Sequence, residues 1–189
     1  MYRFRAIIFF MLLSWTATVF PVPTFDGQYS IGSLIPGLSS VQALREGHSR
    51  KSAPRHLNVR PPNVVGNLTI TSGANGVPLF YIHRGRLWRY VNETSIHAVN
   101  IMNGTEKAPG INHVPLQMML NEKPGGIDGG IWKWKGTMLI YQLGNSNNSG
   151  VYYDCMLPHG GHGLITFLQG VPTPRGCSLL TLHGFEHDV

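Results

Sequence analysis

From residue 61 onward the chain alternates between short apolar, β-branched and aromatic runs and clusters of glycine, asparagine, aspartate and proline. The runs are "NLTIT" (67–71), "LFYIH" (79–83), "RLWRYV" (86–91), "SIHAVNIM" (95–102), "VPLQMML" (114–120), "IWKWK" (131–135), "TMLIYQL" (137–143), "VYYDCML" (151–157), "LITFLQ" (164–169) and "CSLLTL" (177–182). Asn75-Gly76, Arg84-Gly85, Pro124-Gly125-Gly126, Asp128-Gly129-Gly130 and Gly160-Gly161 supply turn chemistry between them. No stretch sustains a 3.6-residue apolar period, so little helix is expected. Short strands at this spacing predict an all-β fold, a single-domain antiparallel β-sandwich, with a β-trefoil as the alternative. A trefoil would carry a threefold internal repeat, and none is evident. Within "VYYDCML", Val151, Tyr153, Cys155 and Leu157 share one face, and Tyr152 and Asp154 the other. Cys177 and Leu179 likewise share a face, which puts each cysteine on the apolar side of its strand.

The start of the chain reads differently. Met1-Tyr2-Arg3-Phe4-Arg5 precedes an unbroken apolar run from Ala6 to Leu13, and small residues follow. That is the pattern of a secretory signal peptide, taken as 1–20. The run is too short for a bilayer span, which needs about 20 apolar residues. Residues 21–60 carry Pro21, Pro23, Pro36 and Pro54, many serines and the basic stretch "REGHSRKSAPRHLNVRPP". They are read as a disordered leader or pro-segment, either cut at a dibasic site at Arg50-Lys51 or kept as an unprocessed flexible arm. The domain is then 61–189, long enough for one core.

Charge follows the same division. The formal net charge of +6 is carried mostly by the first 60 residues, because 61–189 holds eight basic and seven acidic side chains. A nearly neutral domain lacks the electrostatic footprint of a nucleic-acid-binding protein.

Two cysteines, Cys155 and Cys177, in a chain with an export signal predict one disulfide. The segment "DCMLPHGGHG" (154–163) also holds His159 and His162, which could chelate a metal with His183 or His187. Glycines make a floppy support for ligands, and Gly-Gly between two short strands is what a hairpin needs, so the segment is read as a turn and no metal is assigned. "HGG" has no G-x-S-x-G elbow to serve. Paired-carboxylate chemistry would draw on Asp128 and Asp154, but solvated turn and strand positions account for both. No phosphate loop or dinucleotide fingerprint occurs, and neither a catalytic residue nor a cofactor is assigned. Trp132 and Trp134 share a face of "IWKWK". Exposed, they would form a stacking platform for sugar rings; buried, they would be core. Four N-x-[S/T] sequons, at Asn67, Asn92, Asn103 and Asn147, point to a glycoprotein.

In the last 50 or so residues an aromatic strand runs into a cysteine ("GVYYDC"), followed by an apolar strand ("LITFLQG"), a Pro-containing loop and a second cysteine opening an aliphatic strand ("GCSLLTLHG"). This order resembles that of small secreted fungal cell-wall proteins of the phialide type, and "RGRLWRYVNETSIHAVNI" is similar in style to a hairpin of that family. The resemblance implies a non-catalytic, glycosylated β-protein at a fungal wall or in the apoplast, and adds no site residue beyond Cys155 and Cys177. The expectation is therefore a secreted, extracellular or wall-associated interaction protein, including a host-directed effector. Its partner would be a cell-wall polysaccharide or a host extracellular component, with no nucleic acid and no membrane span. A lectin-like carbohydrate-binding module is the first alternative, and a secreted hydrolase or metal-dependent enzyme the second.

Overall fold

The computed structural model of the chain describes residues 37–45, 53–60, 65–72, 76–104, 111, 113–157 and 160–186. The signal peptide expected over 1–20 and the dibasic pair at 50–51 lie outside them. The described residues form strands and connections without a helix. In chain order the strands are β1 (Ser39–Leu44), β2 (Arg55–Val59), β3 (Gly66–Ser72), β4 (Leu79–His83), β5 (Arg86–Asn92), β6 (Ser95–Asn103), β7 (Leu116–Asn121), β8 (Gly130–Lys135), β9 (Met138–Leu143), β10 (Ser146–Asn147), β11 (Val151–Met156), β12 (His162–Thr166) and β13 (Cys177–Glu186). Each apolar run picked out in the sequence overlaps one of these strands. No helix is long and apolar enough to cross a membrane among the described residues.

Two strands fall where a disordered leader was expected. In "SSVQAL", Val41 is fully buried; in "RHLNV", Leu57 is fully buried and Val59 nearly so. Both runs alternate with period two, but each is only five or six residues long and sits among serines and arginines. Averaged over 21–60, that alternation disappears into a polar, proline-rich background. The correction is that Ser39–Leu44 and Arg55–Val59 belong to the folded domain.

The same correction changes the architecture from a sandwich to a closed barrel. The strands β13, β11, β12, β7, β6, β5, β4 and β1 pair in that order, every pair antiparallel, and β1 returns to β13. The closing ladder runs from Ser39↔Glu186 to Leu44↔Thr181. An eight-stranded ring of this kind is also not a trefoil. The β2–β3 hairpin bridges β1 and β7 through Gln42↔His56, Gly66↔Leu120 and Asn67↔Met119. Outside the ring, β8 and β10 pair with β9, which joins β13 at His183↔Met138. Sandwiches and barrels both show one apolar face at period two, so alternation could not separate them. Closure needs β1, and β1 lay in the segment set aside.

The alternation of β11 feeds two cores. Tyr152 is fully buried in the main core with Val41, Phe80, Met118, Leu139 and Leu182. Its hydroxyl donates to the Leu139 carbonyl at 3.0 Å, and burial pushes its pKa far above the ordinary tyrosine value. Tyr153 and Cys155 face the other way, into a smaller cluster with Ile111, Ile165 and Phe167. Tyr153 meets Phe167 edge-on at 5.7 Å and donates its hydroxyl to the Val171 carbonyl at 3.0 Å. The chain after β12 is thereby held over the outer face of the sheet.

Buried Asn148 joins three segments. Its Oδ1 accepts from the backbone N–H groups of Tyr141 and Gly150, each at 3.1 Å, and its Nδ2 donates to Thr166 Oγ1 at 3.1 Å. The predicted Cys155–Cys177 disulfide is present, between directly opposed residues of β11 and β13 whose Cα atoms are 4.2 Å apart. By the chain-entropy model, closing a loop of this length contributes on the order of 3 kcal/mol. Because the two strands already pair around it, replacing both cysteines (Cys155→Ala with Cys177→Ala) should lower unfolding free energy by about 3 kcal/mol while the far-ultraviolet circular dichroism stays unchanged. Urea titration of the two proteins checks this; an unmoved midpoint would show that the bond adds nothing to the strand pairing.

Candidate functional site

A groove of about 380 Å³ is lined by residues of β2, β3, β11 and β12 and by the residue after β2: Arg55, Arg60, Thr69, Ile70, Thr71, Asp154 and His162. Its centre follows from strand periodicity. Asp154 lies two residues after Tyr152, so it continues the inward face of β11 just where the core ends. The carboxylate side chain is only 11% exposed. A carboxylate so far from water requires charged or donor partners, and two are at hand. Arg55 Nη2 lies 3.9 Å from Oδ2, and His162 Nδ1 lies 3.3 Å from Oδ1. His162 opens β12 opposite Met156, half-exposed at the mouth, and Arg60 follows β2 in the open.

Within the histidine-bearing segment, Leu157 N–H donates to the Gly161 carbonyl at 2.9 Å, and β12 then delivers His162 to the groove. His162 faces Asp154. His183 is on β13, between Thr137 Oγ1 at 2.9 Å and Thr181 Oγ1 at 3.0 Å, and burial lowers its pKa. His159 and His187 lie outside the described residues. Among the described residues no three histidine, cysteine or acidic side chains gather closely enough to hold a metal ion.

The two candidate carboxylates are not brought together, since Asp128 lines a different cavity from Asp154. The tryptophans do not form a platform either, which corrects the ligand-binding reading of Trp132 and Trp134. Trp132 is 4% exposed and packs on Tyr141 with ring centroids 5.0 Å apart. Trp134 is half-buried against the main core, and a Cβ at Gly184 would come within 3.0 Å of its ring. Their shared face of β8 is the inner one, because burying two indoles is worth far more than burying Lys133 and Lys135 on the other face. Lys133 points out and donates to Gln142 Oε1 at 2.6 Å.

Arg55, Arg60, Thr69 and Thr71 were absent from the sequence-derived candidates. The arginines were counted with the leader, and the threonines read as ordinary strand residues. The alternation in "RHLNV" would have placed Arg55 in line with Leu57 and Val59, at the end of an inward face. Neither a protein-family model, a curated protein nor a solved structure matches the chain.

The sequons divide by environment. Asn92, Asn103 and Asn147 are exposed, at a strand end or in the short β10. Asn92 Oδ1 accepts from both the N–H and the hydroxyl of Thr94 at 3.0 Å. Asn67 is half-buried within β3, paired with Met119, and accepts from Gln117 Nε2 at 2.8 Å. In protein expressed through a eukaryotic secretory pathway, Asn92→Gln, Asn103→Gln and Asn147→Gln should each remove one glycan from the intact mass, and Asn67→Gln none. Loss of a glycan on Asn67→Gln would show that fit in the folded sheet does not govern occupancy.

Proposed function

We propose that the protein is a secreted, non-catalytic glycoprotein that acts outside the cell by binding an acidic polysaccharide of a fungal wall through the Asp154 groove. One observation carries the reading: two guanidinium groups and an imidazole line one open groove around a single carboxylate. Asp154 offsets one positive charge, and the surplus suits a polymer with regularly spaced carboxylates. Arginine is the side chain best fitted to such groups, because its planar fork meets both oxygens of a carboxylate. An open groove with cations along it can follow a chain, whereas a closed pocket would admit only an end. The disulfide, the exposed sequons and the resemblance to wall proteins all support an extracellular setting. Burial of Trp132 removes the stacking platform on which the lectin-like alternative depended.

The test is retention of the secreted glycoprotein on polygalacturonate beads, with neutral glucan and chitin beads alongside. Retention should be confined to the acidic polymer and should fall as salt is raised toward about 0.5 M, where exposed charges are screened within a few ångström. Arg55→Ala and Arg60→Ala should each weaken binding about tenfold, the loss typical of one charge-assisted hydrogen bond. Equal retention on neutral glucan, or indifference to both substitutions, would remove the groove from the explanation.

A further inference from the structure

A second, smaller cavity of about 150 Å³ shares no lining residue with the groove. It lies where β6, the β7–β8 connection, β8 and β9 meet. β5 pairs with β6 only as far as Ala98, and beyond that point the β7–β8 connection takes over the vacated edge. Ile127 N–H donates to the Ile101 carbonyl at 2.9 Å. Gly126, at φ +84°, allows the approach, because any Cβ there would collide with that carbonyl oxygen. Asn100 latches the same connection, accepting from Gly125 N–H at 3.0 Å and donating to the Lys123 carbonyl at 3.0 Å. The rim is thus built before any ligand arrives, which lowers the entropic cost of binding.

The floor holds an unsatisfied group. Tyr141 is 2% exposed, and its hydroxyl has no hydrogen-bond partner among the described residues. A Cβ at Gly130 would collide with that hydroxyl, so the glycine keeps the space in front of it open. Buried hydroxyls almost always find partners, and one that faces a cavity without a partner points to a ligand group. Burial also raises the Tyr141 pKa, which keeps the proton available for donation. Trp132 forms part of the wall. At the rim stand Arg86 and Asp128, both exposed, and among the described residues neither makes an ion pair. Their charges offset each other, so the cavity has no net attraction for an ion.

We infer that this cavity binds a single neutral sugar ring, with one hydroxyl on Tyr141 Oη and the outer hydroxyls toward Asp128 and Arg86. The volume admits the inner edge of one ring and no more, since a cavity of about this size accommodates a benzene molecule, and the remaining sugar hydroxyls stand out past the open rim. A monosaccharide or the end unit of a glycan fits; the interior of a chain does not. The inference stands apart from the acidic-polymer reading, because different residues and a different ligand charge are involved.

Isothermal titration of the full-length secreted protein tests it. The probes are glucose, galactose, mannose and N-acetylglucosamine, with serine as a zwitterion and galacturonate as an anion. One neutral sugar should bind with a dissociation constant of about a millimolar, which ligands of this size reach. Tyr141→Phe should weaken that sugar about tenfold without lowering the melting temperature, since the hydroxyl has no protein partner to lose. Asp128→Asn, at an exposed position, should weaken it about fivefold. The inference fails if no neutral sugar gives a saturable signal, if serine binds as well as the sugars, if galacturonate does so in the protein carrying both Arg55→Ala and Arg60→Ala, or if affinity survives both cavity substitutions. A fall in melting temperature for Tyr141→Phe would show that the hydroxyl has a structural role instead.

Discussion

The fold depends on one ladder, the pairing of β1 with β13. Six residue pairs from Ser39↔Glu186 to Leu44↔Thr181 join two segments that are far apart in sequence. The Ser40 hydroxyl reaches the Phe185 carbonyl across 145 positions at 3.4 Å. Without that ladder the ring would be an open sheet with unpaired edges at β1 and β13, the arrangement most prone to pairing with another chain. With it, the backbone groups on both sides are satisfied, and the strands enclose a volume that Val41, Phe80, Met118, Leu139, Tyr152 and Leu182 fill.

A closed ring has ends, and the polar chemistry sits where inward faces run out of core. Asp154 is the next inward position of β11 after Tyr152, and Arg55 the inward position of β2 before Leu57. Each is forced toward the interior by pleat geometry yet lies too near the end to be packed by apolar neighbours. The result is a carboxylate held by a guanidinium and an imidazole, not a charge on the surface. At the second cavity the logic is similar: Tyr141 continues an inward face, and the glycine at 130 lets the backbone pass its hydroxyl without a side chain colliding with it.

Much of this was legible in the sequence. The strands from β3 onward, the two-residue β10 excepted, announced themselves through β-branched and aromatic runs bounded by turn residues, and the disulfide through cysteine count beside an expected export signal. Whether Trp132 and Trp134 were core or platform stayed open, because alternation shows that two residues share a face of β8 but not which side of the sheet that face meets. What stayed hidden has common physical causes. β1 and β2 bury only a few side chains each, and their surroundings are serine, proline and arginine, so composition outvoted alternation. Barrel closure is a pairing between distant segments and leaves no local signal in either. The groove combines Arg55 and Arg60 with Asp154 and His162, about a hundred positions away, and only the bridging of β1 and β7 by the β2–β3 hairpin brings them together.

The β1–β13 ladder also sets an order of events in time. β1 is synthesised long before its partner, and until residues 177–186 exist its six backbone positions have nothing native to bond with on that side. During that interval the growing chain presents an unpaired strand end, and the cell must shield it or hold it apart. Completion of the barrel therefore waits on its most distant contact, a closure whose entropy is lost before the pairing repays it.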